Sequence, residues 1–213
     1  MVKKLGIALL CAALGTTLYA REDISTSKLF VGLELDSTKA DSSSELYLDN
    51  TLVSPKFTDT SGSVFEYGVR LGAEKEDWRT TLLYTYYNNT EAGVEETMHK
   101  GSMLLDYFLL STGSAEYNVK PYIGAHVGYM SYEASGPIEN TGFTGVYADD
   151  SGLFYGGQAG IAMTIAEVVE LDLSYRYSLT SLDDISQFIL SDTKAVTSID
   201  NMGSIVFAIN YFY

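Results

Sequence analysis

The sequence predicts an all-β fold, an eight-stranded antiparallel up-and-down transmembrane β-barrel, and three observations carry that expectation. Segments of two-residue alternation recur along the chain, and the last of them, IVFAINYFY at 205–213, runs to the final residue. Successive side chains on a strand point to opposite faces, so Ile205, Phe207, Ile209, Tyr211 and Tyr213 share one side. The opposite face of these segments is small or ionised, holding Gly32, Gly68, Gly72, Gly124, Gly128, Gly156 and Gly160 among acids and arginines. A short basic and apolar leader precedes all of them. Lipid on one side and a tight polar lumen on the other satisfy this pattern.

The leader has the layout of an export signal. Lys3 and Lys4 come before an apolar stretch from Leu5 to Leu14, and Leu18, Tyr19 and Ala20 form a cleavage site. The stretch falls short of the ~20 apolar residues that a spanning helix needs. Residues 1–20 are therefore expected to be removed and 21–213 to form the barrel domain. Leu10 stands where a lipoprotein needs a small residue before Cys11, so a cleaved signal is the expected form. Its loss removes the one cysteine, and with it any disulfide, thiol nucleophile or cysteine metal site. The net charge of −15 becomes more negative when Lys3 and Lys4 leave, which argues against a sequence-independent nucleic-acid binder. The remainder has no apolar run of spanning-helix length. A sheet in lipid must therefore close on itself, because an open edge leaves backbone groups unpaired.

The strands follow in order. In 28–36, Leu29, Val31, Leu33 and Leu35 point outward and Gly32 and Glu34 inward. In 64–72, Phe65, Tyr67, Val69 and Leu71 oppose Glu66, Gly68 and Arg70. The third strand, 78–87, turns Trp78, Thr80, Leu82, Tyr84 and Tyr86 outward and Arg79 inward; the fourth, 102–110, turns Met103, Leu105, Tyr107 and Leu109 outward and Asp106 inward. Strand 119–132 places Ile123, Ala125, Val127 and Tyr129 against Gly124, His126 and Gly128. Strand 153–163 places Tyr155, Ala159 and Ile161 against Gly156, Gln158 and Gly160. In 168–178, Val169, Leu171, Leu173, Tyr175 and Tyr177 oppose Glu170, Asp172, Ser174 and Arg176. The eighth strand is 199–213. Each reaches or slightly exceeds the length that a tilted strand needs to cross the hydrocarbon, about 9–11 residues.

Connections one, three, five and seven are the longer ones, as expected when short turns face the periplasm and long loops the exterior. The second of those long ones, 88–98, barely exceeds the turn after it. A soluble β-sandwich also alternates, but glycine weakens a strand unless something approaches closely, and the interior of an eight-stranded barrel is that crowded. Aromatic residues give a second separator: Trp78, Tyr122, Tyr211 and Tyr213 near the turn side, and Tyr67, Tyr86, Tyr129 and Tyr177 near the loop side, resemble two interfacial girdles.

The eight-strand pattern, the glycines of PYIGAHVGY (121–129), the strand ELDLSYRYS (170–178) and the terminal YFY resemble the small bacterial outer-membrane β-barrel superfamily. That group includes the OmpA transmembrane domain, OmpX and the opacity-type surface antigens. The resemblance implies a Gram-negative outer membrane, lipid and lipopolysaccharide as surroundings, and Tyr213 as part of the signal read by the barrel-assembly machinery. Because the last strand runs to Tyr213, the wall-binding periplasmic domain that OmpA-type proteins append is not expected here.

The expected lumen set is Glu34, Glu66, Arg70, Arg79, Asp106, His126, Glu170, Asp172 and Arg176, with acids and arginines pairing across a closed interior. Acids exceed arginines in it, so any passage would prefer cations. Catalysis needs a nucleophile or activated water beside a base. The two histidines do not fit the His-x-Ser pattern of lipid A deacylase barrels: His126 is followed by Val127 and Gly128, and His99 by Lys100 and Gly101. The stretches 36–62, 132–152 and 179–198 read as external loops rich in Ser, Thr and Asp, with an apolar ISQFIL at 185–190. Their carboxylates, including Asp149, Asp150, Asp183, Asp184 and Asp192, lack EF-hand spacing. The expected role is structural or surface-interactive, without cofactor or metal. A narrow cation-preferring pore is the alternative, and a lipid- or peptide-hydrolysing barrel comes third.

Overall fold

The computed structural model describes residues 27–48, 51–60, 63–91, 94–114, 116–137, 144–190 and 193–213. The expected export signal at 1–20 and Asp192 lie outside the described residues. The strands are β1 (Lys28–Leu48), β2 (Thr51–Thr60), β3 (Val64–Lys75), β4 (Trp78–Glu91), β5 (Val94–Phe108), β6 (Thr112–Gly113), β7 (Tyr117–Pro137), β8 (Thr144–Ile165), β9 (Val169–Leu190) and β10 (Thr193–Phe212). Every pairing is antiparallel, and β10 pairs with β1 from Phe30↔Phe212 to Leu48↔Thr193, which closes the barrel. Eight strands form the wall. β2 pairs with β1 beyond the point where β3 ends, and the two-residue β6 pairs with β7.

The inward and outward assignments of the eight segments hold, residue by residue, with one exception. Leu33, Tyr67, Val69, Leu105, Ile123, Val127, Ile161, Leu173 and Ile209 are exposed on the outer wall, while their sequence neighbours are buried or pack inward. The exception is Tyr122, expected in the turn-side girdle. Its parity is that of Gly124 and His126, and it is buried in the lumen, 2% exposed. Proximity to the girdle in sequence misled here; the period of two decides which face a side chain takes.

Turns on the short side are tight. Lys75 pairs with Trp78 across Glu76 and Asp77, with Glu76 at φ 43°, and Ala166 and Glu167 at φ 49° and 59° reverse the chain between β8 and β9. Positive φ at such positions matches the twist of the flanking strands.

The long external loops are a correction. Much of 36–62, 132–152 and 179–198 is strand: β1 continues to Leu48, β7 to Pro137, β8 begins at Thr144, β9 continues to Leu190 and β10 begins at Thr193. The ISQFIL stretch lies in β9 and pairs with β10. A strand of 21 residues such as β1 spans about 70 Å, or about 50 Å along the axis at the usual tilt. The apolar band of such barrels is only about 25 Å tall. The wall therefore stands well clear of the lipid on the loop side.

The outer face registers that boundary. Leu35 gives way to Ser37, Lys39 and Asp41 on β1, Tyr86 to Asn88 on β4, Tyr129 to Ser131 and Glu133 on β7, and Leu153 to Ser151 and Asp149 on β8. The inner face changes in the opposite sense. Below that level it carries Glu34, Arg70 and Arg176; above it, Tyr87, Met98, Met130, Ala134, Phe154, Leu182, Ile199 and Met202 form one apolar cluster. The alternation continues along each strand while its polarity inverts, because the solvent outside the wall changes from acyl chains to water.

Leu33 sits in the middle of the lipid-facing row and is 68% exposed. Leu33→Arg is expected to cost about 2–4 kcal/mol of stability in bilayers. Urea titration in lipid vesicles, followed by the fluorescence of the one tryptophan, Trp78, measures it.

Candidate functional site

The lumen of the membrane-embedded half is a connected set of ion pairs organised by two arginines. Arg79, which β4 projects inward beside its partner Asp106 on β5, is fully buried. Its Nε and Nη2 donate to Asp106 Oδ2 at 3.0 and 2.9 Å, its Nη1 to Glu170 Oε1 at 2.7 Å, and its Nη2 lies 2.7 Å from Asp172 Oδ2. The guanidinium plane also faces the Tyr122 ring, 4.7 Å from its centroid. A planar fork with five donors suits three carboxylates at once.

Arg176, from β9, holds the level above. Its Nη1 donates to Glu34 Oε1 at 2.9 Å and its Nε to Gln158 Oε1 at 2.9 Å, with Asp36 Oδ2 at 3.5 Å. Arg70 joins the levels, 3.4 Å from Asp172 Oδ2 and 3.6 Å from Glu34 Oε2. Gln158 donates to Asp106 Oδ1 at 2.6 Å, Tyr122 to Asp172 Oδ1 at 2.8 Å, and Asn210 to Glu170 Oε1 at 3.0 Å. Lys120 extends the chain downward, pairing with Glu170 at 3.1 Å and with Glu74.

Seven of the nine expected lumen residues thus belong to one network: Glu34, Arg70, Arg79, Asp106, Glu170, Asp172 and Arg176. Glu66 is buried but forms a separate ion pair with Lys100, without hydrogen-bond geometry. His126 joins no ion pair among the described residues. Its Nε2 lies 2.9 Å from Ser178 Oγ, and its ring packs near Phe154. Asp36, Glu74, Lys100, Lys120, Tyr122 and Asn210 were not in the expected set. Parity alone would have found each, since Asp36 is in phase with Glu34, Lys100 with Asp106, and Lys120 with His126.

Two lids enclose this polar core. On the turn side, Phe30 and Phe212 meet edge to face at 5.6 Å between centroids, and Phe108 and Tyr122 do so at 6.1 Å. Below this floor a cavity of about 190 Å³ opens, lined in part by Lys28, Glu74, Lys120 and Phe212. On the loop side stands the apolar cluster around Met98, Met130, Phe154 and Met202. Glycines make room for these groups. A Cβ on Gly72 would strike the Phe30 ring, and one on Gly124 would strike the Asp106 carboxylate.

His99, on β5, faces outward on the wall and is exposed. The Tyr84 hydroxyl is 2.7 Å from its Nδ1, and Tyr86 packs against its ring. Glu95 and Glu96, its neighbours in sequence, bind elsewhere: Glu95 accepts from Asn88 at 3.0 Å, and Glu96 from Tyr132 at 3.0 Å and Tyr87 at 3.3 Å.

No protein-family model matches the chain, and no curated protein matches it in sequence. Solved structures share its fold. Neisserial surface protein A is 16% identical with a TM-score of 0.52, covering 86% of this chain and 97% of its own. Outer membrane protein OprG from Pseudomonas aeruginosa is 17% identical with a TM-score of 0.59, covering 88% of this chain and 96% of its own. The fold is that of small eight-stranded outer-membrane β-barrel proteins.

Two expectations follow. Arg79→Met removes the partner shared by three buried carboxylates, leaving Asp106 without a cation, and is expected to cost about 3–5 kcal/mol, read by urea titration in vesicles. Asp36 stands directly opposite Glu66 across β1 and β3, and like charges so placed repel. Asp36→Asn is expected to raise stability by about 0.5–1 kcal/mol in the same assay.

Proposed function

We propose that this chain is a structural, surface-presenting barrel of a Gram-negative outer membrane, whose lumen is a sealed strut and does no chemistry. One observation carries this reading: the ion pairs run from wall to wall between an aromatic floor and an apolar cap. Eight strands leave an interior that side chains can fill, and here Arg79 and Arg176 bind acids that other strands project into the lumen. A charged network of this kind adds little net stability over an apolar core, yet it can be inserted only one way. Slipping one strand by a residue would put arginines into lipid and leave their partners unpaired.

A catalytic role finds no support in the histidines. His126 and Ser178 are at hydrogen-bond distance, but both are buried, beneath Phe154 and beside Arg176. No substrate reaches a nucleophile packed in that way. His99 faces outward between two tyrosines, apart from any carboxylate pair.

The remaining assignments belong to the same reading. Lipid and lipopolysaccharide surround the apolar belt, and Tyr213, 74% exposed beside the closing seam, is the residue offered to the assembly machinery. The raised loop-side wall, with Lys39, Glu133 and Asp149 on its outer face, carries the chain's contacts with the exterior.

Single-channel recording in planar bilayers tests the reading. The parent protein is expected to show no conductance steps. Steady conductance by the parent would mark the lumen as a pore.

A further inference from the structure

We infer that the cavity below the aromatic floor, at the turn-side end of the barrel, binds the ammonium group of a short aliphatic amine, with Glu74 as its anionic partner. The inference goes beyond the sealed-strut reading and does not depend on it, because the cavity lies outside the floor.

Charge points to this end of the lumen. Among the described residues, the buried inward cations are Arg70, Arg79, Lys100, Lys120 and Arg176. The inward carboxylates outnumber them: Glu34, Asp36, Glu66, Glu74, Asp106, Glu170 and Asp172. An uncompensated charge is costly to bury, so the surplus acids need companions. Asp36, Glu66 and Glu74 each keep an oxygen without a hydrogen-bond partner. Asp36 and Glu66 stand beneath the apolar cap, each 1% exposed. Glu74 lines the turn-side cavity, where a cation can arrive from outside.

Its neighbours do not supply that cation in full. Glu74 pairs with Lys120, but the same ammonium also serves Glu170 at 3.1 Å. Arg79 stands directly opposite Glu74 across β3 and β4, yet directs its donors to Asp106, Glu170 and Asp172. Lys28 stands opposite on β1 and turns instead to Glu167, 2.9 Å away at the exposed rim. Glu74 Oε2 is left buried and unbonded.

Size and lining select the occupant. The cavity encloses about 190 Å³, below the roughly 300–1,000 Å³ of sites for larger ligands. It still has room for several water-sized groups at about 30 Å³ each. Ser114, Asn118 and Thr164 line it with hydroxyl and amide groups, and Phe212 with an aromatic ring. An ammonium has three donors and no acceptor, so one carboxylate oxygen with neutral oxygens around it suits it. A divalent metal demands about six or more close oxygens, and among the described residues no group of three His, Cys, Asp or Glu side chains converges to hold one. Lys120 shows what this neighbourhood accepts. Its own ammonium meets two carboxylates and lies 4.4 Å from the centroid of the Phe108 ring, where a cation is favoured by the ring face. The occupant repeats that arrangement with Glu74, and Phe212 flanks its aliphatic stem.

Saturation-transfer NMR of the refolded full chain in non-ionic detergent, titrated with cadaverine near neutral pH, tests this. The parent is expected to bind saturably. Glu74→Gln keeps the shape of the side chain and leaves Lys120 paired with Glu170, so it should fold as the parent does. It should bind cadaverine about tenfold more weakly, the loss expected for one charge-assisted contact. The heat-dependent shift in gel mobility reports folding; should that variant not fold, Asn118→Leu, which narrows the cavity and removes an acceptor, takes its place with the same expected loss. Glu116→Gln changes an exposed acid on the same side that does not line the cavity, and should bind as the parent does. Tetramethylammonium, which has the charge but no N–H, should not compete. Equal binding by the parent and the cavity variant, or equal binding of tetramethylammonium and cadaverine, would mark general attraction to an acidic surface and overturn the inference. So would a folded parent that binds no cadaverine, which would leave Glu74 with a proton as its companion and the outer-membrane reading untouched.

Discussion

A backbone surrounded by acyl chains has no water to bind, so each of its amide groups must find a partner within the wall. Closure of β10 onto β1 meets that demand, and most of the molecule's other features follow from it. With eight strands, closure leaves a lumen about as wide as the side chains that point into it. Those side chains cannot be lipid-like, because the outward parity is already apolar and a chain greasy on both faces would not survive transit through water. They cannot be singly charged either, because an unpaired ion in that volume is far costlier than a paired one. Compact residues and matched ions remain. Arg79 with its three carboxylates, and Arg70 joining two levels of acids, are the result.

The inversion of polarity along the strands makes the same point from the other side. On β7, Ile123 and Val127 face lipid while His126 faces in; farther along, Ser131 and Glu133 face out while Met130 and Ala134 are buried. Nothing in the backbone changes between these positions. What changes is the medium outside, so the lower half is built like a membrane protein and the upper half like a small soluble barrel. The apolar cluster of the upper half rests directly on the charged network of the lower half, which shields the ions from external water.

Much of this was readable from residue order. The parity of Leu29 to Leu35, of Phe65 to Leu71 and of Val169 to Tyr177 assigned the lipid-facing rows, and the glycines opposite them announced a crowded interior. Tyr122 stands near the turn side in sequence, yet its phase is that of Gly124 and His126, which turns it into the lumen. The strands are taller than the runs of apolar alternation. Ser, Thr and Asp runs such as 41–44 resemble loops, yet in a wall with water outside they are ordinary outward strand residues. The inverted upper half carries its own signal, Met130 and Ala134 alternating with Ser131, Glu133 and Ser135, the pattern of a strand with water outside.

Sequence by itself determined which residues face which side, that the sheet must close, and that ions would line its axis, because a period of two and the cost of burying charge are local properties of the chain. Only the tertiary structure decided which ions meet. Arg79 reaches Glu170 and Asp172 across the lumen from strands far away in the chain, and Glu66 pairs with Lys100 instead of joining the main network. Those choices depend on the stagger of eight strands around a closed wall, and stagger is a property of the whole circuit that no single strand encodes.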